Sequence, residues 1–254
     1  MPPRKPRIRV VPKHEPKGPP VHPFDRLYGT DTGGLLPGPT LMIGHANDAH
    51  ITAYYAIACS ILDGMVSLWL QSQPLYEIDR YTFLDVGAGK GRALLTASLH
   101  PFREAVGIEM NPKLAAIARN NIRLFENSPD ASPLAPMTLL EADALEAPLP
   151  STPTLAFMFH PFEAPVLRRF LARVEKHYAD RPGAFDLLYV NAEHASVLDR
   201  NPSFTRLFNG MVPMSSEDHL ADLAEIAEQR DYGSTGDEFC TIFRFTGPRD
   251  YSTP

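Results

Sequence analysis

The chain has 254 residues, of which 44% are hydrophobic and 21% charged; that composition suffices for a globular core, and the length points to one large α/β domain or one domain carrying extensions. Charge is unevenly spread: Arg4, Lys5, Arg7, Arg9, Lys13 and Lys17 stand against Glu15 in the first 17 residues, so a net charge of −6 for the whole chain leaves the remainder at −11. An acidic body argues against a broad nucleic-acid footprint, which needs clustered Lys and Arg, and Cys59 and Cys240 supply neither a disulfide framework nor the spacing of metal ligands.

In chain order, residues 1–23 read as a basic, Pro-rich, disordered leader, with ten of the 26 prolines falling in the first 39 positions. Its positive charges are not followed by an apolar run, so it does not read as a secretory signal, and a reducing, cytoplasmic setting is expected. Residues 24–75 read as an N-terminal lid and helical cap: an irregular Gly- and Asp-rich segment over 24–41, then a helix over 50–71. Positions 51, 54, 55, 58, 61, 62, 65, 66 and 69 form one apolar face of that helix, interrupted by Asp63 and Gly64, which excludes a membrane span. Tyr54 and Tyr55 fall on this face, where core packing is the ordinary role.

From residue 76 to 247 the pattern changes to short β-rich runs alternating with helical periods. Strands are expected at 82–86, 105–109, 138–141, 155–160 and 185–190. Helices are expected at 90–99, after Asn111 with Pro112 at the first helical position, near Pro165, and at 218–228. A late strand at 238–245, with no long crossover before it, completes a Rossmann-like, doubly wound, mostly parallel sheet with an antiparallel edge strand. Residues 248–254 form a tail.

The most informative stretch runs from Phe83 through Asp85 to Gly87-Ala88-Gly89-Lys90-Gly91-Arg92. An apolar strand enters a G-x-G-x-G turn and then a helix, at the strand end where open α/β sheets bind ligands. A dinucleotide loop would need glycine where Arg92 stands, and a P-loop would need Ser or Thr after Lys90. Asp85 repels phosphate and attracts an ammonium group. Glu109, ending the next strand and followed by Met110, suits ribose hydroxyls, and Asp143 follows the third strand. A ligand with a free ammonium, a ribose and an adenine amine meets all three acids, and S-adenosyl-L-methionine is such a molecule.

On these residues the sequence resembles the class I S-adenosylmethionine-dependent methyltransferases. The resemblance covers residues 81–191 and implies that Asp85, Gly87, Ala88, Gly89 and Gly91 form the first cofactor motif, Glu109 and Met110 the second, and Asp143 the third. The fourth strand ends Phe159-His160-Pro161-Phe162, where many amino-group methyltransferases carry Asn/Asp/Ser-Pro-Pro-Tyr/Phe. His160 departs from that pattern and is the candidate general base, since imidazole accepts a proton near neutral pH; ending a buried strand is its alternative role. Partial similarity to the non-SET histone-lysine methyltransferases and their bacterial relatives implies an amine or protein lysine among the acceptors. A protein or small molecule is favoured over nucleic acid. Asn191, Glu193 and His194 are further pocket candidates. The competing readings are a cofactor-binding adaptor without turnover, motivated by His160, and a nicotinamide dehydrogenase, disfavoured by Arg92.

Overall fold

A computed structural model describes residues 21–227 and 234–247; most of the leader and the tail lie outside them. Helix α1 (Pro23–Tyr28) leads into an irregular segment, and helix α2 (Cys59–Gln71) into the sheet domain. There follow β1 (Thr82–Val86), α3 (Arg92–Ala97), β2 (Glu104–Glu109), α4 (Pro112–Glu126), β3 (Met137–Glu141), β4 (Thr154–Phe159), α5 (Ala164–His177), β5 (Phe185–Val190), α6 (Ala195–Asp199), β6 (Phe204–Pro213), α7 (Ser216–Glu225) and β7 (Asp237–Phe245). Among the described residues no helix is long and apolar enough to cross a membrane.

The seven strands lie in the order β3-β2-β1-β4-β5-β7-β6. Strands β1 to β5 pair in parallel, and β7 runs antiparallel between β5 and β6. The expected antiparallel pairing at this edge is present, and the outermost place belongs to β6, a strand absent from the sequence reading. Strands β1 and β5 are buried along their whole length, as parallel strands covered on both faces must be. Alternate side chains therefore feed two cores. Leu84, Ala156, Met158 and Phe170 of α5 lie on one side; Phe83, Phe157, Leu188 and Trp69 of α2 lie on the other.

The expected helix over 50–71 begins only at Cys59. Residues 51–58 run extended, held by isolated bridges from Tyr54 to Leu36 and from Ile51 to Phe162. Two long-range partners thus override a local helical period. Helix α2 belongs to the core, so the residues that cover the carboxyl ends of the strands are those before it. Its Trp69 is anchored there: the indole Nε1 donates to buried Asp186 at 2.7 Å, and Arg244 donates to the same carboxylate from Nε at 2.8 Å and Nη2 at 3.0 Å.

Elsewhere the local chemistry is as expected. The Asn111 side chain accepts from the backbone N–H groups of Lys113 and Leu114, capping α4. Leu114, Ala118 and Phe125 supply its buried face. Strand order reverses about β1, whose neighbours are β2 and β4, so a crevice opens where β1, β2 and β4 end.

Candidate cofactor and acceptor sites

The turn after β1 is held against β2 by its own backbone, Gly87 and Ala88 both donating to the Ile108 carbonyl at 2.9 Å. Gly87 and Gly89 have φ of +82° and +56°. A Cβ on Gly89 would lie 2.2 Å from Cε2 of Tyr54. Gly89→Ala therefore combines left-handed strain of about 1–2 kcal/mol with displacement of the Tyr54 ring. Its denaturant midpoint is expected to fall accordingly, and an unchanged midpoint would show that neither the left-handed strain nor the Tyr54 contact costs stability at this turn.

Asp85, Gly87, Ala88, Gly89, Glu109, Met110 and Asp143 all line one cavity in this crevice. Gly91 does not; it is the left-handed N-cap of α3 and faces Ala118 of α4. Asp85 is buried, and its Oδ2 has no hydrogen-bond partner among the described residues. Burial, and secondarily the carboxylate of Glu109, push its pKa up to about 8. Glu109 is tied down differently. Its Oε2 accepts from Gly89 N–H at 2.7 Å and its Oε1 from Asn111 N–H at 2.7 Å, while burial raises its pKa against those donors. Each oxygen retains a lone pair for a hydroxyl donor.

Asp143 accepts from Leu145 N–H at 2.8 Å through Oδ1 and from the Asn47 side-chain amide at 3.0 Å through Oδ2. Asn47 in turn accepts from Arg169 of α5. The segment before α2 is thereby fastened over the third acid, a link between residues 96 positions apart that periodicity does not reveal.

Arg92, which sequence reasoning used only to exclude a dinucleotide, lines the same cavity while being 1% exposed. Its Nε donates to Thr32 Oγ1 at 2.8 Å, and its Nη2 lies 3.5 Å from Glu225 and 3.9 Å from Asp25. Its Nη1 has no partner among the described residues. Tyr54 also lines the cavity, its hydroxyl donating to the Thr32 carbonyl at 2.6 Å; it stands over the glycine turn and is not a residue of a helix core.

His160 lies elsewhere. It lines a second cavity with Tyr55, Asn191 and Glu193, and Thr52, Ala53, Tyr55 and Phe159 line both spaces, so the two cavities meet there. His160 ends β4 with φ +41°, and Asn191 ends β5 with φ +47°; left-handed non-glycine residues at adjoining strand ends store strain of the kind that collects at functional sites. His160 Nδ1 stands 3.5 Å from Glu193, its ring meets His194 edge-on at 5.2 Å, and Nε2 has no partner among the described residues. Burial, more than the opposing pull of Glu193, lowers its pKa below 6.5. Among the described residues no group of three side chains gathers as a metal site.

No protein-family model and no curated protein matches the chain. Solved structures do. The ribosomal protein L11 methylase of Lactobacillus delbrueckii subsp. bulgaricus is 12% identical over 71% of this chain and 78% of that one, with a TM-score of 0.43. The magnesium protoporphyrin IX methyltransferase of Synechocystis PCC 6803, solved with bound SAM, is 10% identical over 73% and 77%, at 0.46. The N-methyltransferase NodS of Bradyrhizobium japonicum WM9 is 14% identical over 74% and 94%, also at 0.46. Likenesses this distant leave the activity to be argued from the site's own residues.

Proposed function

We propose that this protein is a class I S-adenosylmethionine-dependent methyltransferase acting on a nitrogen nucleophile, with a protein or small molecule favoured over nucleic acid because the chain is acidic. One observation carries the reading: a buried carboxylate oxygen of Asp85 and a buried guanidinium nitrogen of Arg92, each without a partner among the described residues, belong to side chains that line one cavity with Glu109. A carboxyl oxygen and a guanidinium N–H left unmet in a shared space suit the ammonium and carboxylate of an amino acid, and Glu109 beside them suits a ribose. Asp143, which lines the same cavity, suits the adenine amine.

When bound, the cofactor supplies a methyl carbon whose bond to sulfur breaks, leaving its electron pair on sulfur, as the acceptor's lone pair forms the new bond to carbon. The chain's own contribution is alignment, worth up to about 7–11 kcal/mol when two reactants are held in line. Asp85 and Arg92 would hold the amino-acid end of the cofactor and Glu109 its ribose. Phe159 and the 52–55 segment exclude water where the cavities meet. His160 takes the proton that the nitrogen sheds.

Calorimetry with S-adenosylhomocysteine, followed by transfer of a labelled methyl group to material in a cell extract, tests this. Binding with no transfer would identify a cofactor-binding adaptor, and no binding at all would end the proposal. His160→Ala is expected to bind S-adenosylhomocysteine as the parent does while turning over 10²-fold or more slowly. Because burial and His194 lower the His160 pKa against Glu193 and Glu163, the neutral imidazole persists to lower pH, and the acid limb of kcat falls below pH 6.5. Unchanged turnover in the alanine variant would remove the role.

A further inference from the structure

The second cavity contains an unmet charge of its own. Asp222 on α7 is 2% exposed and lines that cavity, yet its Oδ1 has no hydrogen-bond partner among the described residues. The Tyr55 hydroxyl stands beside that carboxylate and favours its ionised form, and His160, which also lines the cavity, has its Nε2 without a partner among the described residues. Asp222 Oδ1 and His160 Nε2 thus belong to residues that line one space and have no partner among the described residues, where each costs free energy until a ligand satisfies it.

The described lining is acidic, with Arg92 of the adjoining cavity near enough to act on Asp222. Glu193, Asp222, Asp237 and Glu238 line the cavity, and no Lys or Arg is among its described lining residues. Burial, against the opposing pull of the Tyr55 hydroxyl and Arg92, lifts Asp222 to about 6, and burial together with Asp222 lifts Glu238 to about 7. Asp222 disfavours the ionisation of Glu238, and a cation placed beside both carboxyl groups relieves it. Asp222 and Glu238 stand on one side, and His160 lies at the end of β4 next to Phe159, which also lines the cofactor cavity.

We infer that this cavity takes an aliphatic diamine, one ammonium held by Asp222 and Glu238 with the Tyr55 hydroxyl, the second nitrogen presented at His160. The purpose assigned to the second nitrogen rests on the methyltransferase reading; the binding does not. The need for two nitrogens follows from proton chemistry. An amine seated on carboxylates keeps its proton, so its lone pair is engaged and it cannot attack a methyl group. The group that anchors the molecule is therefore a different one from the group that reacts. A monoamine satisfies one position and leaves the other unmet, and an anionic molecule is repelled by all four carboxylates.

The test is calorimetric titration of the full chain, saturated with S-adenosylhomocysteine, with 1,5-diaminopentane. Binding is expected, with 1-aminopentane and 5-aminopentanoate each at least 10-fold weaker. Asp222→Asn and Glu238→Gln are each expected to weaken the diamine at least 10-fold while leaving S-adenosylhomocysteine affinity unchanged. Both substitutions remove an unfavourable buried charge, so the fold is retained, and either variant alone suffices. No heat with the parent protein, equal affinity in both variants, or 5-aminopentanoate binding as tightly as the diamine would overturn the inference. So would tighter binding of an acetylated dilysine peptide amide, which would reassign the cavity to protein lysines. If S-adenosylhomocysteine gives no heat but the diamine binds and Asp222→Asn abolishes it, the cavity stands and the methyltransferase reading falls.

Discussion

Asp85→Asn is expected to bind S-adenosylmethionine 30-fold or more weakly and yet to melt at a higher temperature than the parent. The first effect is loss of a buried, charge-assisted contact to the ligand's ammonium, worth about 2 kcal/mol or more when one partner is truncated. The second follows from linkage. In the unfolded chain this carboxyl ionises near its ordinary value of 3.8, whereas in the fold burial and then Glu109 hold its pKa at about 8. Between those values the unfolded state has given up a proton that the folded state retains, so rising pH favours unfolding. Asparagine carries no such proton. The variant's advantage is small near pH 4, widens to about pH 8 and is constant above it, reaching on the order of a few kcal/mol; at about 2–4 °C per kcal/mol for a chain of this size, the difference is measurable by thermal melting at pH 5 and pH 8.5. The same reasoning predicts that cofactor binding by the parent at pH 7 releases a proton from Asp85, seen as a binding heat that depends on the buffer's ionisation enthalpy. A variant that melts below the parent at pH 8.5 would show that Asp85 is compensated by groups the geometry does not reveal.

Asp85 could be read from the sequence because its position is a consequence of the sheet. A fully buried parallel strand is a run of apolar residues, so Thr82–Val86 and Phe185–Val190 stand out at their true bounds, and an acid at the end of such a run must face the crevice. Glu109 follows by the same rule at the largely buried end of β2, whereas Asp143 lies two residues past β3, a strand without buried positions, and is placed by the turn that follows it. Strand β6 escaped it because that strand takes the outermost place, where Arg206, Asn209 and Gly210 interrupt the pattern and only its first residue and Val212 are buried. The segment 51–58 was misread because its apolar spacing fits a helix as well as it fits an extended run. What decides between them is Leu36 and Phe162, brought in from outside any local window. The cavity at His160 is legible only in part for the same reason. His160 lies in a recognisable strand end, whereas Asp222 and Glu238 belong to α7 and β7, which reach it only after the chain has crossed the sheet.

Arg92 shows most plainly how a residue's role is set by distant partners, and its replacement is expected to have the largest effect on stability. Arg92→Met keeps the buried length of the side chain but removes the charge that faces Asp25 of α1 and Glu225 of α7, carboxylates whose side chains are 5% and 4% exposed. Leaving buried carboxylates unpaired costs about 3–5 kcal/mol, so the denaturant midpoint should fall sharply, and hydrogen exchange should quicken first in residues 23–36. That segment is held to the sheet through the same centre: Asp25 accepts from the Thr30 and Thr32 hydroxyls at 2.7 Å, and Arg92 donates to Thr32. Adding Asp25→Asn and Glu225→Gln to Arg92→Met removes the stranded charges and is expected to recover part of the lost stability, a coupling that independent sites would not show. Cofactor affinity should not recover with it, because the Nη1 donor to the ligand's carboxylate is still missing. Recovery of both would mean that Arg92 acts on the cofactor only by holding the segment in place, and recovery of neither would mean that packing around the guanidinium, and not its charge, secures the turn.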